Sequence, residues 1–384
     1  MKPVVARCIL VAAALVSSVF PSGPAAAEEL CFGERATITG TSGNDVLTGT
    51  AGPDVIISKG GDDQVDGRGG DDRICAGSGN DIVSGGSGFD LIHAGSGRDT
   101  VNGDGSDDIL YGADGDDHLL GEGGDDKLVG GDGNDLLSGG TGVDYVRYDN
   151  APSAVAVDLG ELNVTGGAGS DTLIAVDGLA DVEGAYGSAF DDTFKGNPAP
   201  NRFIGSDGDD TFFASFGDDL VSGGAHDRGD RITFERITTA NGVAVNLVKG
   251  TASWAGSERS ASQQIAFVEH VTGSPFGDTI KGDDHANILI GGGGDDAITA
   301  RAGNDVVYGG AGDDTILLGL GDDRAYGRQG SDKIEGSSGG DKLLGGSGAD
   351  RLSGGPGHDD LFGGPGKDLC RQGDGSGKTV SCER

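Results

Sequence analysis

An aspartate recurs every nine residues through much of this chain, set among glycines and followed two places on by an aliphatic residue. With Asp as the sixth of nine positions, twelve consecutive rows over 40–147 carry Asp45, Asp54, Asp63, Asp72, Asp81, Asp90, Asp99, Asp108, Asp117, Asp126, Asp135 and Asp144. Four rows over 187–222 carry Asp192, Asn201, Asp210 and Asp219. Eleven rows over 273–371 carry Asp278, Asp296, Asp305, Asp314, Asp323, Asp332, Asp341, Asp350, Asp359 and Asp368, with Asn287 in the remaining place. Regularly spaced carboxylates are hard oxygen donors, and glycine lets backbone carbonyls approach an ion closely. Calcium takes about 6–8 such oxygens. Transition metals would require His or Cys, and the six histidines show no matching period. The chemistry expected of these aspartates is calcium ligation, at many sites.

The repeating pattern is G-G-x-G-x-D-x-U-x, with U aliphatic. Rows such as "GGDGNDLLS" (130–138) and "GGSGADRLS" (345–353) meet every fixed position. On these residues the chain resembles the hemolysin-type, or RTX, calcium-binding nonapeptide repeat proteins. The resemblance implies an all-β fold, a parallel β-roll. In it the six-residue G-G-x-G-x-D stretch turns, x-U-x forms a short strand, two rows close one coil, and calcium lies between successive turns on each side. Asp45, Asp63 and Asp81 would then stack along one edge, and Asp54, Asp72 and Asp90 along the other. The acidic residues at position five, Asp62, Asp71, Asp107, Asp116, Asp125, Asp295, Asp313 and Asp322, are expected to face solvent.

The elements that must hold this ladder fall into three repeat blocks, 40–147, 187–222 and 273–371, with caps at 28–39 and 372–384. Two spacers, 148–186 and 223–272, break the period, and they resemble each other. "AVAVDL" (154–159) recurs as "GVAVNL" (242–247), and "GSAFDDTFKG" (187–196) aligns with "GSPFGDTIKG" (273–282). The shifts are 88 and 86 residues, so a unit of about 87 residues has been duplicated. Alternating apolar residues make V-A-V-D-L a strand pattern, and the spacers are expected to be β-rich, as larger coils or side lobes.

Composition narrows the partners. Seventy-eight residues are Gly, and 63 acidic residues face 27 basic ones for a net charge of −36. That balance argues against nucleic acid, which demands a basic surface, and favours small cations. Lys2 and Arg7 precede an apolar run from Cys8 to Phe20 and an A-x-A site at Ala25–Ala27. This reads as a signal peptide over 1–27, with a secreted, extracellular chain beginning at Glu28. The run is shorter than the roughly 20 residues that span a bilayer, and no membrane span is expected. Beyond it lie Cys31, Cys75, Cys370 and Cys382, an even number that points to disulfides in an exported chain. Of the three connectivities, Cys31 with Cys75 and Cys370 with Cys382 is the simplest.

No H-E-x-x-H, G-x-S-x-G or Cys/His nucleophile arrangement occurs, so no enzyme is expected. His226, Asp227, Asp230, Glu235, Glu269 and His270 are the groups available in the second spacer, and they read as surface or strand-edge residues. One aliphatic side chain per nine residues buries too little to offset the ordering of nine backbones. The expected function is therefore a non-catalytic calcium-binding repeat protein whose folding is coupled to calcium. The alternative is a calcium-rigidified adhesion or matrix protein binding a cell-surface polysaccharide, which would want a regular aromatic ladder. Tyr111, Tyr145, Tyr148, Tyr308 and Tyr326 are too scattered to make one.

Overall fold

An aliphatic residue every nine positions builds a core only if each second row lies directly above the one two before it. The computed structural model shows that stacking. It describes residues 29–383, apart from 168, 177–178, 239, 257–259 and 375–376, so the signal peptide expected over 1–27 lies outside the described residues. Among the described residues there is no helix, and the chain is a parallel β-solenoid of about 18 turns, an all-β roll. Strands pair in parallel with an offset of eighteen residues: Thr100 lies beside Ile82 on one side and beside His118 on the other. Odd and even rows therefore form two facing sheets, and each coil contributes one strand to each.

Within a strand such as Ile109–Asp114, exposure alternates. Position eight points inward, as with Ile74, Ile92, Leu110 and Leu128 on one sheet and Val83, Val101, Leu119 and Leu137 on the other, all buried. Position one also points inward, where glycine gives way to Ala76, Ala94, Ala300 and Leu318 without exposure. Two inward positions per row are enough for a thin, continuous core.

Each spacer enlarges a coil, the parallel offset growing to thirty-six residues between Leu136 and Thr172 and forty-four between Asp218 and Ser262, and the added length is a three-stranded antiparallel meander spliced into a sheet. In the first, Gly169–Leu173 continues the roll from Leu136–Thr141, runs antiparallel through Asn163–Gly166 to Val155–Asp158, and hands on in parallel to Thr193–Lys195. In the second, Ser260–Ala266, Thr251–Gly256 and Ala240–Asn246 do the same between Asp218–Ala225 and Thr279–Lys281. The two meanders enter opposite sheets. The sheets pass through all three blocks without interruption, and Trp254 is buried between Phe216 and Phe234 at the second splice.

At the N-terminus a hairpin of Leu30–Cys31 with Glu34–Arg35 lies against the flank of the roll. Cys31 is bonded to Cys75, with an S–S distance of 2.08 Å and Cα atoms 5.8 Å apart. Phe32 packs beside His93 and Tyr111, which stand at position nine of successive coils, as Cys75 does. Cys370 and Cys382 are joined at the other end, with Cα atoms 5.7 Å apart.

Candidate metal centre

Each position-six aspartate is placed by its own turn and read by the coil before it. Beyond the first coil of each block, apart from Asp230 at the second splice, its Oδ1 accepts the backbone N–H of the position-six residue eighteen residues earlier: Asp63 to Asp81 at 2.8 Å, Asp81 to Asp99 at 2.7 Å, Asp314 to Asp332 at 2.9 Å. The other oxygen, Oδ2, is buried and has no hydrogen-bond partner at Asp63, Asp72, Asp81, Asp90, Asp99, Asp108, Asp117, Asp126, Asp135 and Asp144, at Asp210, and at Asp296, Asp305, Asp314, Asp323, Asp332, Asp341, Asp350, Asp359 and Asp368. Twenty of the expected ligands thus present an unpaired, buried oxygen along the two edges of the roll.

The turns bring carbonyls beside these oxygens. At positions two and four the backbone adopts positive φ, 120° at Gly95 and 137° at Gly97. A methyl added at either would collide with the carbonyl oxygen of the same position one coil earlier, Gly77 or Gly79. Glycine suits both the dihedral and the close approach of backbone to backbone, while Lys59, Arg68 and Ala113 hold the same left-handed dihedral at position two of other rows.

Five expected ligands differ. Asp45, Asp54, Asp192 and Asp278 have Oδ2 occupied by the N–H of position two in their own turn: Thr41 at 2.6 Å, Thr50 at 2.6 Å, Ser188 at 2.5 Å and Ser274 at 2.6 Å. Asn201 and Asn287 are closed in the same way by Asn197 and Asp283. These six turns form the first coil of each block. Asp219 Oδ2 instead accepts from Gln263 and Ser215.

Burial drives a set of the open carboxyls upward. Asp108, Asp210 and Asp296 are pushed to about 8 and Asp90, Asp135 and Asp144 to about 7. Loss of water is the main cause in each; the N–H from the preceding coil opposes it, and the like charge of stacked neighbours adds to it. A buried, unpaired oxygen carrying charge is costly without a cation. Hard, partly anionic oxygens beside carbonyls fit calcium.

At the two splices the ladder is bridged by glutamate. Asp144 donates its N–H to Glu183 Oε2 at 2.7 Å, and Asp230 donates to Glu269 Oε2 at 3.0 Å. Asp230 itself takes the place of a position-six residue, since its Oδ1 accepts from Asp210 at 2.8 Å and its Oδ2 is buried and unpaired. Reasoning from a strict period missed it. The trace was present in the sequence as a row lengthened by two, 223–233, in which Ile232 still follows Asp230 by two places.

Position five is more than a solvated fringe. Asp62 Oδ1 accepts the N–H of Asn80 at 2.9 Å, and Asp107, Asp116, Asp295 and Asp313 do the same for the coil after them. These side chains are exposed yet tie consecutive coils, in the direction opposite to the position-six ladder.

The family profile of the RTX calcium-binding nonapeptide repeat matches residues 39–74, 76–110, 111–146, 186–221, 335–370 and overlapping stretches that together span 272–334. The chain belongs to that family. Matches cover the three RTX blocks and stop at the two meanders. No curated protein matches the chain. RTX repeats bind calcium, and the twenty open turns are where this chain has the oxygens to do so.

Proposed function

We propose that this is a secreted, non-catalytic calcium-binding protein whose roll assembles as calcium enters the open turns. The observation that carries the reading is the double file of buried Oδ2 atoms without partners, one from each open turn. Each is an uncompensated cost in the folded chain and a ready ligand for a divalent ion, so ion binding and folding are one equilibrium. The closed first coil of each block needs no ion to complete its turns, and is assigned none. Export is supported by Lys2, Arg7, the apolar run to Phe20 and the A-x-A site, and extracellular calcium modules work at Kd values of about 10⁻⁴–10⁻³ M. Far-ultraviolet circular dichroism in chelator and then in millimolar calcium tests the proposal. A coil spectrum converting to a β spectrum is expected, and identical spectra would refute it.

A further inference from the structure

The row 223–233 is two residues longer than its neighbours, and the insertion falls between fixed points. Gly224 still faces Ser206 eighteen residues earlier, whereas Asp230 answers Asp210 twenty residues earlier. The added length carries His226 into the mouth of the turn. Its Nδ1 lies 3.5 Å from Asp230 Oδ2 and 3.3 Å from Glu269 Oε2. All three donor atoms fall within 4.8 Å of one another, and among the described residues this is the one such cluster of three. Asp230 is wholly buried and aims its unpaired Oδ2 at the imidazole. His226 is exposed and leaves an entry path from solvent. The neighbouring His270 is no donor here, because its Nε2 faces the Arg228 carbonyl and its Nδ1 accepts from Ile288.

We propose that His226, Asp230 and Glu269 form a site for a borderline divalent ion of the zinc type, distinct from the all-oxygen calcium turns. An imidazole nitrogen favours such ions, whereas calcium takes oxygen alone. Ligands about 2.0–2.1 Å from one ion at tetrahedral angles stand about 3.3–3.4 Å apart, close to the separations seen. The first splice provides an internal contrast. Asp144 and Glu183 stand there in the places of Asp230 and Glu269, but the row 139–147 is not lengthened and carries no histidine. One splice carries the nitrogen ligand and the other does not.

Zinc titration by calorimetry into the full protein, held in saturating calcium, tests this. One zinc is expected that His226→Ala binds at least about tenfold more weakly, since even outer partners of metal ligands are worth that much. Glu269→Gln, which can still accept the Asp230 N–H, should weaken it as well. Circular dichroism of both variants in calcium should match the parent, which separates loss of the site from loss of the roll. Equal zinc binding by parent and His226→Ala, no zinc binding by the parent, or displacement of the zinc by added calcium would each overturn the assignment.

Discussion

The backbone N–H of Asp144 is held by Glu183 Oε2 at 2.7 Å, across thirty-nine residues of chain. In an undisturbed coil that N–H meets an aspartate eighteen residues on. Here the carboxylate that answers stands beyond the meander and is a glutamate, while on the other edge of the same splice Asp171 answers Asp135 at 3.0 Å. Glu183→Ala should leave this N–H unpaired and cost about 1–3 kcal/mol, whereas Glu183→Gln should cost less than about 1. Urea unfolding in saturating calcium measures both, and equal losses would remove the bridging role.

Open and closed turns should respond differently to the same change. Asp314→Asn removes a charge from an open turn. If each ion sits at about one hundred times its Kd, losing one site costs about 2.7 kcal/mol and one calcium in a calorimetric count. Asp45→Asn should cost under about 1 kcal/mol with the count unchanged, because Asn201 and Asn287 already occupy closed turns. A lost ion in Asp45→Asn would contradict the distinction.

Acidity should compete with calcium. Five of the open carboxyls lie above their unfolded values, at about 6 for Asp72, Asp81 and Asp126 and about 8 for Asp108 and Asp296. A raised carboxyl binds more protons folded than unfolded. The stability it lends the ion-free roll is therefore present below its unfolded value near 4 and lost as pH rises through 6 to 8. In chelator, structure should increase on acidification from pH 8 towards 5. Calcium bound by the roll should exchange with protons over the same range, since both occupy the same oxygens. Circular dichroism at each pH checks the first and calorimetry in buffers of different ionisation enthalpy the second, and calcium uptake that releases no protons would count against the open turns as the binding sites.

Trp254, the chain's one tryptophan, is buried between two phenylalanines at the second splice. Its fluorescence should shift to the blue when calcium is added to the chelated protein. A shift at the same midpoint as the dichroism would mean that meander and roll form together.

Backbone strain gives a metal-independent test. Ala113 occupies position two with φ 83°, a place glycine fills in eleven of the twenty-seven rows. A left-handed residue costs about 1–2 kcal/mol, of which the unfolded-state entropy of glycine returns about 0.4–1, so Ala113→Gly should stabilise the calcium-loaded roll by about 0.5–1 kcal/mol. Gly97→Ala drives a methyl into the Gly79 carbonyl and should cost at least about 2 kcal/mol. Thermal unfolding compares the two.

Sequence alone determined the roll, because its period is a local property. Asp at six and an aliphatic at eight recur without reference to anything distant, and a nine-residue unit cannot bury position eight except against its neighbours. Tertiary structure decided what depends on who stands one coil away. Position-two residues either close a turn on its own carboxylate, as Thr41 does, or leave Oδ2 open, as Gly77 does, and that choice is made by backbone dihedrals against the adjacent coil. The glutamates that bridge the meanders and the meeting of His226 with Glu269 join residues 39 or more apart. No periodic signal encodes such pairs, since an insertion breaks the period at the point where the contact forms.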